Sequence, residues 1–309
     1  MSASTTSSAA GKGAPSSPWQ RVLDWSDLLK LRLASLVVLG ALVGALLGMD
    51  EVQGYARAFE AAFWIACSAA SGCALNQVIE QEVDARMERT KGRPLVTGRI
   101  LVRDAVLASA ILGAAATLGL LLRFNLLAAF LSLGSLFTYV AVYTPLKRVS
   151  ALNTLVGAFP GAAPVAIGNA AMTGDIGSWS ISLFLIVFAW QFPHFMAIAW
   201  IHREDYRRAG LAMVPVLEGG ERAAGIQALG HSLILTPISV LPALWGDVGW
   251  VYAAGALTIG LVFTGFAARF ALVQNEGRAR ALFQVSLVYL PALFVLILAD
   301  RYFSGGPLL

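Results

Sequence analysis

The stretch Asn76-Gln-Val-Ile-Glu80-Gln-Glu-Val-Asp84-Ala-Arg86-Met-Glu88-Arg89-Thr-Lys91-Gly-Arg93-Pro94 follows directly on an apolar run from Phe59 to Ile79. Hydrocarbon on one side and a dense island of both charge signs on the other mark the end of a membrane span. The rest of the chain repeats the pattern. It has 309 residues, 58% hydrophobic and 13% charged, with mean hydropathy +0.71. Soluble globules carry about 25% charged residues, so this composition excludes that class.

Crossing a hydrocarbon slab of about 30 Å takes about 20 helical residues. Runs of that size occur near 33–50, 59–79, 102–122, 126–143, 153–173, 179–201, 226–245, 249–272 and 282–299, which predicts nine spans. Apolar residues run continuously instead of alternating, and a helix closes its own backbone hydrogen bonds in lipid, so the fold class is all-α. Of the 22 lysines and arginines, only Arg57, Arg123 and Arg301 fall outside if the N-terminus is in the cytoplasm. This is the positive-inside pattern, and it predicts a multi-pass protein with its N-terminus in and its C-terminus out.

Residues 1–17 are rich in Ser, Ala, Gly and Pro with the single Lys12, which predicts a disordered cytoplasmic tail rather than a cleaved signal; the tail is expected to reach about residue 25, with one transmembrane domain over 26–309. Cys67 and Cys73 share one span on different faces and read as neither a disulfide nor a metal site.

Asn76, Glu80 and Asp84 are spaced i, i+4, i+8, a single polar stripe if the helix continues past the apolar run. Two carboxylates facing a bundle interior call for a cation between them. Mg²⁺ fits, since it takes one or two carboxylates and completes its shell with water and phosphate oxygens. Arg89, Lys91 and Arg93 then offer guanidinium forks and an ammonium to those phosphates. A solvated loop marking the inner face would carry similar charges; the Asn-x₃-acid-x₃-acid spacing at a span's end sets this one apart.

A second polar segment lies four spans later, where Glu204 and Asp205 stand beside Arg203, Arg207 and Arg208 at the end of the span holding Trp190-Gln191-Phe192-Pro193-His194-Phe195. Pro193 disfavours a regular helix, predicting a kink beside Gln191 and His194. Between the two segments, Tyr143-Thr-Pro145-Leu-Lys147-Arg148 closes a span and precedes the small-residue run Gly157-Ala-Phe159-Pro160-Gly161-Ala-Ala-Pro164, a composition that permits close or broken packing around a cavity. Lys147 and Arg148 read either as phosphate contacts or as topology anchors, and His231 as a helix-to-helix hydrogen bond.

Together these motifs resemble the intramembrane aromatic prenyltransferase (UbiA) superfamily and, within it, the protohaem IX farnesyltransferase branch. The superfamily mark is Asn76-x₃-Glu80-x₃-Asp84 with a second acidic motif. The branch is carried by Met87-Glu-Arg89-Thr90-Lys-Gly-Arg93-Pro94-Leu95, Trp190-Gln-x-Pro193-His194-Phe195, Asp205-Tyr206-Arg-Arg-Ala209-Gly210, Met213-Val-Pro215-Val216 and Leu282-Phe283-x₂-Ser286-x₂-Tyr289-Leu290, over about residues 26 to 300. Three positions depart from the pattern. Glu80 replaces the usual Asp, Ala209 stands where a second acid is common, and Leu31 follows Lys30 where a proline is common.

The resemblance implies a bundle around a central cavity opening to the cytoplasmic side of a bacterial plasma (inner) membrane. It implies transfer of farnesyl from farnesyl diphosphate to the ring A vinyl group of haem B, with addition of water and release of diphosphate. Asn76, Glu80 and Asp84 would hold one Mg²⁺-diphosphate site, Glu204 and Asp205 a second metal, and Arg89, Lys91, Arg93, Lys147 and Arg148 the phosphates. His194 would meet haem, as an axial ligand or through a hydrogen bond, and Phe192, Phe195 or Tyr143 would face the allylic cation. Membrane lipid and a haem A synthase or terminal oxidase assembly are the implied partners, with no nucleic acid. Two other readings compete. One is a superfamily enzyme using a quinone precursor or chlorophyllide as acceptor; the other is a transporter, whose ionisable groups would sit near mid-membrane instead of clustering at one face.

Overall fold

The computed structural model describes residues 17–50 and 54–303, with the backbone only for residues 32–34. No strand occurs among the described residues. Residues 1–16, including Lys12 and most of the expected tail, lie outside them. Residues 18–25, which composition assigned to that tail, instead belong to α1 (Pro18–Leu28), with Pro18 in its first turn and the Ser17 hydroxyl accepting from Gln20 N. Both features favour helix initiation.

The chain continues through α2 (Leu31–Gly48), α3 (Gly54–Ile79), α4 (Gln81–Asp84) and α5 (Val102–Arg123). Then come α6 (Leu126–Phe137), a π-helical turn (Thr138–Tyr143), α7 (Thr144–Leu146) and α8 (Asn153–Thr173). The second half holds α9 (Ser178–Ile201), α10 (Arg203–Ala209), α11 (Gly220–Ile238), α12 (Leu241–Leu244), α13 (Trp250–Leu272) and α14 (Glu276–Phe303). Among the described residues, eight helices are long and apolar enough to cross a membrane, counting α6 to α7 and α11 to α12 as one each. The ninth expected span corresponds to α2, in which the described stretch Ser35–Gly48 is apolar. The last span was expected over 282–299; its helix is longer at both ends.

Helices in lipid gain little from hiding apolar surface, so close approach of backbones has to hold them together. Gly40, Gly44 and Gly48 form such a seam on α2 against α8. A Cβ on Gly44 would stand 1.9 Å from the Val165 carbonyl oxygen, and one on Gly168 would stand 2.1 Å from that of Ala41. Asn169 locks the seam by donating to Gly44 O at 3.2 Å while accepting from the Ser180 hydroxyl at 2.8 Å. From this pair the bundle closes as a ring: α3 packs on α2 and α5, α6 on α5 and α8, α9 on α8, α11 and α14, and α13 on α11 and α14.

Inside the ring lies a cavity of about 320 Å³ bounded by α2, α3, α6, the π-helical turn, α8, α9 and α14. α9 runs as one helix through Pro193. Small residues and the π turn make room beside it. Gly157 and Gly161 of α8 leave room for the Tyr143 ring and the Gln191 amide, whose atoms would lie 2.5 and 2.0 Å from an added Cβ. The extra residue in the π turn puts Tyr139 and Tyr143 in a stack with centroids 5.3 Å apart, both lining the cavity.

Gly44→Ala should lower the thermal unfolding midpoint of the detergent-purified protein by the equivalent of about 1–3 kcal/mol, the usual cost of overpacking. Gly134→Ala, whose added methyl group meets open space, should leave it unchanged.

Candidate active site

The polar stripe survives an interruption. α3 ends at Ile79, and Glu80 departs from helical geometry at φ −93°, ψ 8° before α4 begins. Hydrogen bonds of helical spacing nevertheless span the joint, from Glu80 N to Asn76 O at 2.9 Å and from Asp84 N to Glu80 O at 2.7 Å. Asn76, Glu80 and Asp84 therefore stay on one side of the chain, and all three are buried. Arg148 satisfies the end of α3 by donating to Ile79 O at 2.9 Å, a capping role on an exposed side chain.

Each stripe residue faces a cation from another segment. Lys30, at the α1–α2 junction, donates to Asn76 Oδ1 at 3.3 Å, and the Asn76 amide donates to Thr144 Oγ1 at 3.1 Å. Lys147 Nζ lies 3.0 Å from Glu80 Oε1 and 3.3 Å from Oε2. Only the Oε2 contact has hydrogen-bond geometry, so Oε1 is buried without a hydrogen bond. Arg93 closes on Asp84 Oδ2, and the Thr90 hydroxyl donates to Asp84 O at 2.8 Å, which folds the loop back over the stripe. The charges tune one another. Removal from water holds Lys30 below the usual lysine value, with Arg93 and Lys147 adding to the effect against Cys73 and Glu80. Burial alone would also lower Lys147, but Tyr143 and Glu80 outweigh it and raise its pKa well above that of a free lysine. The Lys147 ammonium also sits 4.5 Å from the Tyr143 ring centroid.

The second acidic segment docks on the loop after the first. Asp205 is buried, accepts from Glu88 N at 3.4 Å and pairs with Arg208. Burial would raise its pKa, yet the Glu88 and Arg89 backbone N–H groups and the Arg208 guanidinium lower it overall. Below both loops Val83 and Met87 pack with Ala199, Tyr206, Ala209 and Leu211 in a small apolar core. α1 is tied to the same loop by Arg99 Nε, 3.0 Å from Asp24 Oδ1, and to α3 by Gln77, which donates to Leu28 O at 2.7 Å.

Other predicted residues separate from this group. Glu204 is 66% exposed and pairs with Arg207 at 2.5 Å, so it does not share the Asp205 pocket. Arg89 and Lys91 are exposed, Lys91 pairing with Glu88. Phe192 lies flat on His231, with centroids 3.8 Å apart, and is not part of the cavity lining, whereas Phe195 and Tyr143 are. His231 Nδ1 donates to Gln227 O at 2.9 Å, one turn back on the same helix, so this bond does not reach another helix as expected. His194 lines the cavity with Nδ1 2.7 Å from Ser286 Oγ. Cys67 and Cys73 are free thiols. Lys30 and Thr144 were not picked out from sequence. The lysine's one signal was its position against the first apolar run, and it is also the only non-glycine with positive φ among the described residues, at 50°.

Lys30 and Tyr143 also line the cavity, so the charged cluster stands at the cavity's polar end. No three histidine, cysteine or acidic side chains converge to hold a metal among the described residues. Two carboxylates, one with a spare buried oxygen, and an amide match instead the donor set of Mg²⁺ sharing its shell with phosphate oxygens.

The model of the UbiA prenyltransferase family matches residues 37–295. The "Protoheme IX farnesyltransferase" of Solibacter usitatus is 38% identical over 287 residues, covering 90% of this chain and 98% of that protein. Among solved structures, a digeranylgeranylglyceryl phosphate synthase superposes with a TM-score of 0.76 at 15% identity, over 91% of this chain and 98% of that one. A UbiA homologue from Archaeoglobus fulgidus bound to GPP and Mg²⁺ superposes with a TM-score of 0.61 at 18% identity, over 89% and 99%. These likenesses establish the fold.

Lys147→Met should leave Glu80 buried without its counter-charge, at a cost of about 3–5 kcal/mol. The single variant should melt well below the wild type, and adding Glu80→Gln should recover most of the loss. Equal midpoints for single and double variants would show that the pair is not coupled.

Proposed function

The chain belongs to the UbiA prenyltransferase family, and on that footing we propose that it transfers the farnesyl group of farnesyl diphosphate to the ring A vinyl group of haem B, giving haem O and diphosphate. Support comes from relatives named for protohaem IX farnesyl transfer along nearly their whole length. The observation that carries the reading is the buried Asn76, Glu80 and Asp84 stripe, faced by Lys30, Lys147 and Arg93 at the polar end of an apolar cavity. A prenyl diphosphate has that same division, an anionic head and a hydrocarbon tail.

In this reading the protein spans a bacterial inner membrane nine times, N-terminus in and C-terminus out, and its cavity opens to the cytoplasmic side. Asn76, Glu80, Asp84 and Asp205 are the groups suited to Mg²⁺. When bound, Mg²⁺ neutralises charge on the diphosphate oxygens and makes them a better leaving group. The chain's own cations work alongside. Lys147 and Arg93 are placed to receive the charge that grows on oxygen as the allylic C–O bond breaks and its electron pair departs with diphosphate. Arg89 and Lys91 stand further out, where they attract the anionic head during approach. Tyr143 and Phe195 offer ring faces to the allylic cation. The vinyl π electrons then bond to the farnesyl carbon, water adds to the resulting cation, and one proton is lost. His194 faces the acceptor. Haem A synthase or a terminal oxidase assembly is the consumer that such a product requires.

The test is expression in membranes of a host lacking its own activity, followed by mass spectrometry of extracted haems. A species heavier than haem B by a farnesyl group and a hydroxyl is expected; a prenylated aromatic acid with no haem product would overturn the choice of acceptor. Asp84→Asn should reduce the haem product to background while the protein still accumulates in membranes. Normal yield from that variant would remove the stripe from the mechanism.

A further inference from the structure

Ser286 has one proton and two neighbours. Its Oγ lies 2.5 Å from the Phe283 carbonyl oxygen, one turn back along α14, and 2.7 Å from His194 Nδ1. A carbonyl oxygen only accepts, so the hydroxyl proton goes to Phe283 and Oγ is left to accept from the ring. Nδ1 is therefore the protonated nitrogen, and in the uncharged imidazole the lone pair sits on Nε2. Among the described residues Nε2 has no hydrogen-bond partner, and the residue lines the cavity.

The ring is also held in plane. Trp190 stacks on it with centroids 4.6 Å apart and planes 20° from parallel, and Trp190 Nε1 donates to Ser286 O at 2.9 Å. Phe283 and Phe195 bound it at 5.3 and 5.6 Å. Turning the imidazole over would break the Ser286 bond. His231 also has a bonded Nδ1 and a stacked face, but it has no place in the cavity lining. A histidine that keeps one nitrogen's proton on a fixed acceptor and presents the other nitrogen's lone pair to open space is built as metal ligands are built.

We infer that His194 Nε2 is the axial ligand to the iron of the acceptor haem, and that Ser286 is the positioning residue that fixes its tautomer and direction. The inference rests on the haem-accepting function proposed above, with the iron arriving as part of the substrate. Ligation uses the Nε2 lone pair alone; no electron or proton changes hands. Its use is registration, since fixing the iron on α9 fixes which porphyrin edge meets the farnesyl group.

The experiment is a titration of the detergent-purified full chain with ferric haem B, followed by its Soret band and electron paramagnetic resonance spectrum. The wild type should show histidine ligation. His194→Gln should shift the Soret band, and free imidazole added to His194→Gly should bring it back. Ser286→Ala should weaken haem binding by about tenfold or more, and Ser286→Thr, which keeps the hydroxyl, should restore it. An unchanged Soret band in His194→Gln overturns the ligation, and wild-type affinity in Ser286→Ala overturns the positioning role. Mass spectrometry of haems from wild-type membranes separates the two levels of the account. Haem O formed by a wild type whose spectrum ignores His194→Gln sinks this inference alone, whereas no haem product at all sinks the reading beneath it.

Discussion

Carboxylates taken out of water must be paired, and in this protein the pairing partners come from elsewhere in the chain. Glu80 meets Lys147, 67 residues on, and Asp84 meets Arg93 across a loop. Isolated buried charges cost several kcal/mol each, so these acids cannot be buried until the segments carrying their cations have arrived. Electrostatic neutrality thus acts as an assembly rule for one end of the bundle. It draws the α1–α2 junction, the loop after α4 and the segment after α7 over a single spot. Asp205 extends the rule to the second half of the chain through the Glu88 backbone and Arg208.

What these ion pairs hold is a change of environment over a few ångströms. Lys30 and Tyr143 touch the charged cluster on one side and line the cavity on the other. Beyond them the walls are small residues of α8 and rings from the π-helical turn and α9. Glycine makes this possible at two places where a methyl group would collide with the Tyr143 ring or the Gln191 amide. An ionic head and a long hydrocarbon tail can therefore be bound by one continuous site, without burying the head among apolar groups or exposing the tail.

Hydropathy alone made most of the bundle legible, because lipid forces backbone hydrogen bonds to close locally and so ties span to sequence. The acidic stripe was legible too, since its helical hydrogen bonds persist through the joint at Glu80. Partner choice was hidden. Nothing in the spacing of Arg89, Lys91 and Arg93 says that only Arg93 turns inward, which follows from the fold of the loop around Thr90 and Pro94. Glu204 and Asp205 are adjacent in sequence, but neighbours on a helix point apart, and one faces solvent while the other faces Glu88. Lys30 was overlooked because its reach to Asn76 depends on a left-handed backbone turn that charge patterning does not reveal.

If the stripe and its facing cations form one diphosphate site, metal and diphosphate must bind cooperatively, since each supplies what the other lacks: oxygens for the ion, positive charge for the phosphates. The direct measurement is electron paramagnetic resonance of Mn²⁺, as a stand-in for Mg²⁺, titrated into the purified full chain with and without inorganic pyrophosphate. Mn²⁺ binding to the protein beyond that of pyrophosphate alone, strengthened when both are present and lost in Glu80→Gln, is the predicted result. Mn²⁺ affinity indifferent to pyrophosphate, or untouched by Glu80→Gln, would contradict the account.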